Sequence, residues 1–270
     1  MKNIIHLLLL TVVFYSSSCN NNKNSETSAV DESSANPAPP VLSYSIVKVY
    51  PHDTLSYTEG LFLHDNALYE STGQKKESKL RKINIETGKP EKEISLDTAY
   101  FGEGISMIND KIYQLTWQEH KVFVYDAQTF KKIKEMQWPF EGWGMTTDGK
   151  QLIISTGSSN LYFVNPENFK IIKQVGVTNN YGPVGNINEL EYVNGVIYAN
   201  IYQTNNIIKI DPETGKVLAQ IDLTGILDSS GMMYNHDRTE VLNGIAYDSA
   251  KNIFYVTGKY WPALFEIKLN

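Results

Sequence analysis

A single cysteine, Cys19, is all the thiol that this 270-residue chain carries. No disulfide can form within one copy, so apolar burial alone has to hold the fold. Charge of one sign is also missing as a run. The net charge is −6 and no basic stretch occurs, which removes the positive patch that nucleic-acid binding needs to neutralise phosphates. The five histidines, His6, His52, His64, His120 and His236, show neither HxH nor HExxH spacing, so a zinc site is not expected. A glycine-rich phosphate loop and a GxSxG nucleophile elbow are both absent. No segment keeps a helical period, whereas KIYQLTW and VIYANIY alternate apolar and polar residues as strands do.

What is present is a repeat. A hydrophobic strand, then Asn or Asp, a short turn and Lys occurs as KINIETGK (82–89), VYDAQTFK (124–131), FVNPENFK (163–170) and KIDPETGK (209–216), with a degenerate FEIKLN (265–270) at the end. The polar anchors Asn84, Asp126, Asn165, Asp211 and Lys268 are spaced by 42, 39, 46 and 57 residues. A period of roughly 40–50 residues built from short strands is that of a propeller, one four-stranded blade per copy. The expected fold is therefore all-β, a five-bladed β-propeller. The orphan strand SYSIVKVYP (43–51) is expected to close the ring as the outermost strand of the last blade, which removes an exposed sheet edge. The long interruption at 223–240 is expected to form a loop or short helix over one face of the disc.

The first 41 residues differ in composition. Lys2, an apolar run at 4–15 and SSSC at 16–19 form a charged start, an apolar stretch and small residues before a cleavage point, which is an export signal. The run is shorter than the ~20 residues that a spanning helix needs. Cys19 stands where a bacterial lipoprotein is cleaved and acylated, and the segment resembles a lipobox with Ser16 in place of leucine. Residues 1–19 are thus expected to be a lipoprotein signal with Cys19 as the lipidation site. Residues 20–41, rich in Asn, Ser, Glu, Ala and Pro, would form a disordered tether. Residues 42–270 would form the propeller. Asn20 after Cys19 favours attachment to the outer membrane, and the lipid would be the chain's one membrane contact. With Cys19 acylated no thiol nucleophile remains, and a monomer is expected.

Inner strands are expected to begin at Gly60, Gly104, Gly144, Leu190 and Ile245, each preceded by a polar or aromatic residue: YTEGL (57–61), FGEGI (101–105), EGWGM (141–145), INELEY (187–192) and VLNGIAY (241–247). In a propeller these positions converge at one mouth of the central channel. Glu59, Glu103, Trp143, Asn188 and Asn243 should therefore meet. At the ends of the second strands stand Trp117, Tyr202 and Lys259, large or charged residues where a turn residue would serve, and such breaks in a repeat mark functional positions. Two glutamates and a lysine in an aromatic-lined pit would have shifted proton affinities, as proton-transfer catalysis requires. From the repeat alone the chain is a ligand-binding or catalytic propeller. A non-catalytic peptide-binding propeller of the cell envelope and a metal-dependent lactonase-type hydrolase remain alternatives, the second requiring Glu59, Glu103, Asn188 and Asn243 to ligate a cation beside Trp117, Trp143 and Lys259.

The motifs YTEGL, FGEGI, LTWQ, EGWGMTTDG, INELEYVNGVIYANIYQT, LNGIAYD and VTGKYWPALFEI, in this order from about Val47 to the end, resemble the plant-type glutaminyl-peptide cyclotransferases, five-bladed propellers that also occur in bacteria. The resemblance implies conversion of N-terminal glutamine of peptides or proteins to pyroglutamate with release of ammonia, by attack of the α-amine on the side-chain carboxamide. It implies Glu103 as proton shuttle, and Lys259 and Asn188 as donors to the developing oxyanion. Phe101, Trp117, Trp143 and Tyr202 would be aromatic walls, with Glu59 and Asn243 also at the substrate. Two positions depart from the family: Glu59 replaces a glutamine and Tyr202 a tryptophan. No cofactor or catalytic metal is implied; family members can hold a structural calcium ion in the central channel.

Overall fold

The structure, a computed structural model, describes residues 37–270. The expected signal, its lipidation site Cys19 and the tether up to residue 36 lie outside the described residues. Five four-stranded antiparallel sheets make up the ring. From the axis outward, blade 1 is Thr58–His64, Ala67–Thr72, Lys79–Asn84 and Lys89–Ser95, and blade 2 is Gly102–Ile108, Lys111–Thr116, Lys121–Asp126 and Lys132–Gln137. Blade 3 is Met145–Thr147, Leu152–Ser155, Asn160–Val164 and Ile171–Gly176, and blade 4 is Ile187–Val193, Val196–Ile201, Asn206–Ile210 and Val217–Asp222. Blade 5 takes Leu242–Asp248, Ile253–Gly258 and Ala263–Leu269 from the C-terminal part of the chain, and its outermost strand, Tyr44–Pro51, from the other end. The closing strand runs antiparallel to the last one, with Tyr44 opposite Leu269 and Pro51 opposite Ala263, as expected. Pairing starts before it: Leu42 N–H donates to the Gln220 carbonyl, and Gln220 N–H to that of Pro40.

The repeated signature is a turn with one physical cause. Asn84, Asp126, Asn165 and Asp211 each accept, on the side-chain oxygen, backbone N–H groups two or three residues on. Their main-chain carbonyls accept from Gly88, Phe130, Phe169 and Gly215 four residues on. Asn and Asp favour such turns because the short side chain substitutes for a backbone acceptor. The fourth residue has positive φ in every copy. Glycine takes that conformation without strain; in blades 2 and 3, Phe130 and Phe169 adopt it and bury their rings between blades.

Apolar clusters fill the interfaces between successive blades, including the one across the closing seam, where Tyr50 packs with Leu61, Leu68 and Tyr255. Among the described residues the one helical turn is a 3₁₀ segment, Asp228–Ser230, inside the long connection between blades 4 and 5. No helix there is long and apolar enough to cross a membrane.

One expectation needs correcting. Inner strands were expected to begin after the polar entrance residues. Instead they begin at Thr58, Gly102, Ile187 and Leu242, and in these four blades the pairing register slips between 58 and 60, 102 and 105, 187 and 190, and 242 and 245. Glu59, Glu103, Asn188 and Asn243 fall on these bulges, within the strands. A bulge leaves its extra residue unpaired and re-aims the side chain, which makes the bulge the local device that points Glu59, Glu103 and Asn188 into the channel mouth. In blade 3, Trp143 does precede the strand. The glycine that follows the entrance residue is there because inner strands touch. A Cβ on Gly104 would lie 2.5 Å from Met145 N, and one on Gly144 would lie 2.0 Å from the Asn188 carbonyl oxygen.

Candidate active site

A cup of about 330 Å³ opens at the channel mouth, lined by Tyr57, Glu59, Gln74, Phe101, Glu103, Trp117, Trp143, Asn188, Tyr202 and Lys259. All five blades contribute. Eight of the nine residues expected at the site line this cup; Asn243 does not. It is buried behind Glu59, where its Nδ2 donates to the Thr58 carbonyl at 2.9 Å and to Glu59 Oε2 at 3.4 Å. A larger hollow of about 710 Å³ lies at the opposite face between blades 1 and 2, where Asp65, Lys82, Lys92, Asp110 and Asp126 border it. That hollow is a groove walled by strand and turn residues and has no indole group in its lining.

The walls are aromatic and half-buried. Phe101 leans on Trp117 with ring centres 5.6 Å apart and meets Tyr57 edge-on at 6.1 Å. Trp143 meets Tyr202 edge-on at 5.5 Å. Both indoles are held by one carboxylate oxygen: Trp117 Nε1 donates to Glu141 Oε2 at 2.9 Å and Trp143 Nε1 to the same atom at 3.2 Å. Burial alone would raise the Glu141 pKa, but hydrogen bonds from Gln118 and the two indoles hold it below the ordinary carboxylate range. Trp143 lies flat because Gly157 has no side chain; a Cβ there would sit 2.5 Å from the indole.

The floor is ionic and buried. Glu59, Glu103, Asn188 and Lys259 are almost fully enclosed. Lys259 Nζ is bonded to Glu59 Oε1 and lies 4.1 Å from the centre of the Tyr57 ring and 5.6 Å from that of Tyr202, placements in which a ring face favours a cation. Lys259 and Glu103 share the cup, and the bonded partner of the lysine is Glu59. The two glutamates are hydrogen-bonded to each other. Burial, then the neighbouring Glu59 charge, push the Glu103 pKa well above the usual value, against the pull of Lys259. Burial also raises the Glu59 pKa, but Lys259 and the hydrogen bond from Glu103 counter it. The negative charge of the pair therefore belongs on Glu59 and the proton on Glu103. Among the described residues nothing donates to the buried Asn188 Oδ1.

Tyr57 and Gln74 in the lining, Glu141 under the indoles and Glu189 in the channel also shape the site, and the repeat does not single them out. Four blades pair their entrance residue with glycine (Glu59-Gly60, Glu103-Gly104, Trp143-Gly144, Asn243-Gly244), but blade 4 has Asn188-Glu189. That exception was the available signal. Glu189 reaches across the axis and accepts Leu61 N–H of blade 1 at 3.1 Å and Ile245 N–H of blade 5 at 2.7 Å. Next to it Glu191 accepts Tyr247 N–H at 3.0 Å and the Thr146 hydroxyl at 3.4 Å. Burial raises both pKa values, that of Glu191 to about 8. All four oxygens already accept hydrogen bonds, and calcium takes six to eight oxygens. Among the described residues no group of three or more His, Cys, Asp or Glu is placed to hold a metal. No step below involves a metal.

Comparison with known proteins agrees with this geometry. The family model described as glutamine cyclotransferase matches residues 13–269. The chain is 39% identical over 228 residues, 83% of its length and 71% of the relative's, to the glutaminyl-peptide cyclotransferase of Arabidopsis thaliana. Its structure is similar to the crystal structure of Myxococcus xanthus glutaminyl cyclase, with a TM-score of 0.79, 35% identity, and coverage of 86% of this chain and 98% of the other.

Proposed function

The chain belongs to the glutamine cyclotransferase family, and from that premise we propose that it converts N-terminal glutamine of peptides or proteins to pyroglutamate and releases ammonia. The observation that carries this reading is the floor of the cup, where an acid from blade 2, an acid from blade 1 and an amine from blade 5 meet inside aromatic walls. Ring closure is intramolecular: the α-amine attacks the side-chain carboxamide carbon of its own residue. The protein's task is to hold the folded side chain, exclude water and move protons, and orientation alone supplies much of the acceleration.

Each residue has a role in that scheme. Phe101, Trp117, Trp143 and Tyr202 form the dry walls, with Glu141 fixing the two indoles. As the amine attacks, charge develops on the carboxamide oxygen. Lys259 and the amide hydrogens of Asn188 offer donors to it, an interaction worth most in a low-dielectric site. Glu103, whose pKa burial and the neighbouring Glu59 charge push well above the usual value, delivers a proton to the departing nitrogen. Tyr202, where the family commonly has tryptophan, keeps a flat wall and adds a hydroxyl. We also infer that the enzyme is exported and lipid-anchored through Cys19 at the outer membrane; the run at 4–15 followed by SSSC supports this.

The test uses purified protein with a glutamine-initiated dipeptide and its N-acetylated counterpart, each with and without chelator. Ammonia release from the free-amine peptide alone, unaffected by chelator, is expected. Release from the acetylated peptide, or none from either, contradicts the reading.

A further inference from the structure

A shuttle must be empty before it can accept a proton, and the surroundings of Glu103 favour its protonated form. Its carboxyl is buried, it is hydrogen-bonded to Glu59, and no cation is bonded to it. Two carboxyls in hydrogen-bond contact cannot both be anionic, since like charges at that range oppose a second ionisation. One proton therefore sits between them. Lys259 and Asn243 both bond Glu59, so the anion is fixed there. The floor of the cup thus holds a ready base and a ready acid at once.

The geometry points to Glu59 as a second catalytic carboxylate: it takes the proton from the attacking amine while Glu103 gives one to the leaving nitrogen. This rests on the cyclisation reading above. The steps balance. The amine lone pair forms the N–C bond to the carboxamide carbon, the C=O electrons move onto oxygen, and the nitrogen loses one proton to Glu59. The carbonyl then re-forms, and the bond to the original amide nitrogen breaks with its electron pair on that nitrogen. That nitrogen takes the Glu103 proton and leaves as ammonia. The proton on Glu59 passes to Glu103 across their hydrogen bond, restoring the starting state with no net proton consumed. Lys259 keeps Glu59 ionised in the resting enzyme, and becomes a freer donor to the oxyanion as Glu59 is neutralised.

The charged and titratable groups facing the pair are Lys259, Glu141, Glu189 and Glu240, with the phenols of Tyr57, Tyr202 and Tyr260. Lys259 is the one cation among them. Protonation of Glu59 at low pH and deprotonation of Glu103 at high pH should both stop turnover, so kcat should follow a bell.

The experiment compares wild type with Glu59→Gln and Glu59→Asp on a glutamine-initiated dipeptide across pH, with thermal melting as the fold control. Loss of a general base predicts a fall in kcat of about 10²-fold or more in Glu59→Gln, with the acid limb of the bell gone. Glu59→Asp should recover part of the rate and the acid limb. A Glu59→Gln rate within threefold of wild type overturns the proposal. So does a lower rate with the bell unchanged, which would mean that Glu59 merely orients Lys259. A second readout needs no turnover. Besides any signal from the channel pair Glu189 and Glu191, carboxyl ¹³C NMR of glutamate-labelled protein should show a protonated carboxyl at neutral pH that disappears in Glu59→Gln and in Glu103→Gln alike, whereas its persistence in Glu59→Gln overturns the shared proton. Wild type that releases no ammonia defeats the cyclisation reading instead, and the NMR result separates the two failures.

Discussion

Two buried ionic groups lie back to back on blade 1, joined where Thr58 is followed by Glu59, and they are built to opposite rules. The seam group ties blade 1 to the strand that closes the ring. His52 Nδ1 donates to the Trp261 carbonyl at 2.9 Å and its Nε2 faces Glu70 at 3.0 Å. Glu70 also accepts from the hydroxyls of Thr58 and Ser56. Arg81 reaches Ser56, Asp53 and Glu93. Burial would lower the His52 pKa and raise that of Glu70, but each holds the other's charge: His52 is shifted up and Glu70 down. Two cations meet three acids and their polar atoms are engaged. In the cup, one lysine meets two acids, the surroundings of one acid favour its protonated form, and among the described residues nothing donates to an amide oxygen. The first arrangement is complete and holds the ring shut. The second lacks partners that a substrate carrying an amine and a carboxamide would supply.

This contrast predicts that mutations in the two groups fail in different ways. The largest effect on stability is expected at the seam. Glu70→Gln strips the buried His52 and Arg81 of their shared counter-charge, a loss of about 3–5 kcal/mol, or a melting midpoint lower by about 10 °C, with kcat changed far less than the fold. A variant that melts like wild type would show that the seam is not the latch. The next effect lies in the cup. Lys259→Ala should raise the barrier by roughly 2–4 kcal/mol, about 30- to 1,000-fold in kcat, and a loss below tenfold would remove the oxyanion role. The smallest concerns the channel. Glu191 titrates at about 8 in the fold against ~4.3 unfolded, so the folded state holds the extra proton between these values. Its contribution is complete at low pH and is lost as pH rises toward 8, a slope of about −1.4 kcal/mol per pH unit. Denaturant unfolding of Glu191→Gln between pH 5 and 8 should lack that component; identical slopes in the two proteins would contradict it.

The ring and most of the cup were legible in the sequence because a repeat forces convergence. Glu59, Glu103, Trp143 and Asn188 each stand at the same blade level, and Trp117, Tyr202 and Lys259 each replace a turn residue at the next. Where repetition ended, so did legibility. Asn243 obeys the pattern but turns behind Glu59, where its amide donates to the Thr58 carbonyl and to Glu59. The partner of Lys259 depends on which of two neighbouring bulges points its carboxylate closer, and pairing register across blades is not written in any one of them. Glu141 was in view within EGWG, but its role arises only when two indoles from different blades meet over one oxygen. The bulges were hidden because Glu-Gly looks like a turn before a strand and in fact lies within it.

The most direct test is Glu103→Gln, followed by ammonia release from a glutamine-initiated peptide and by melting. The account predicts a fall in kcat of about 10²–10⁴-fold in a protein that melts at or above the wild-type midpoint, since the substitution leaves a neutral amide where a buried acid stood. A folded Glu103→Gln that turns over within tenfold of wild type would contradict it.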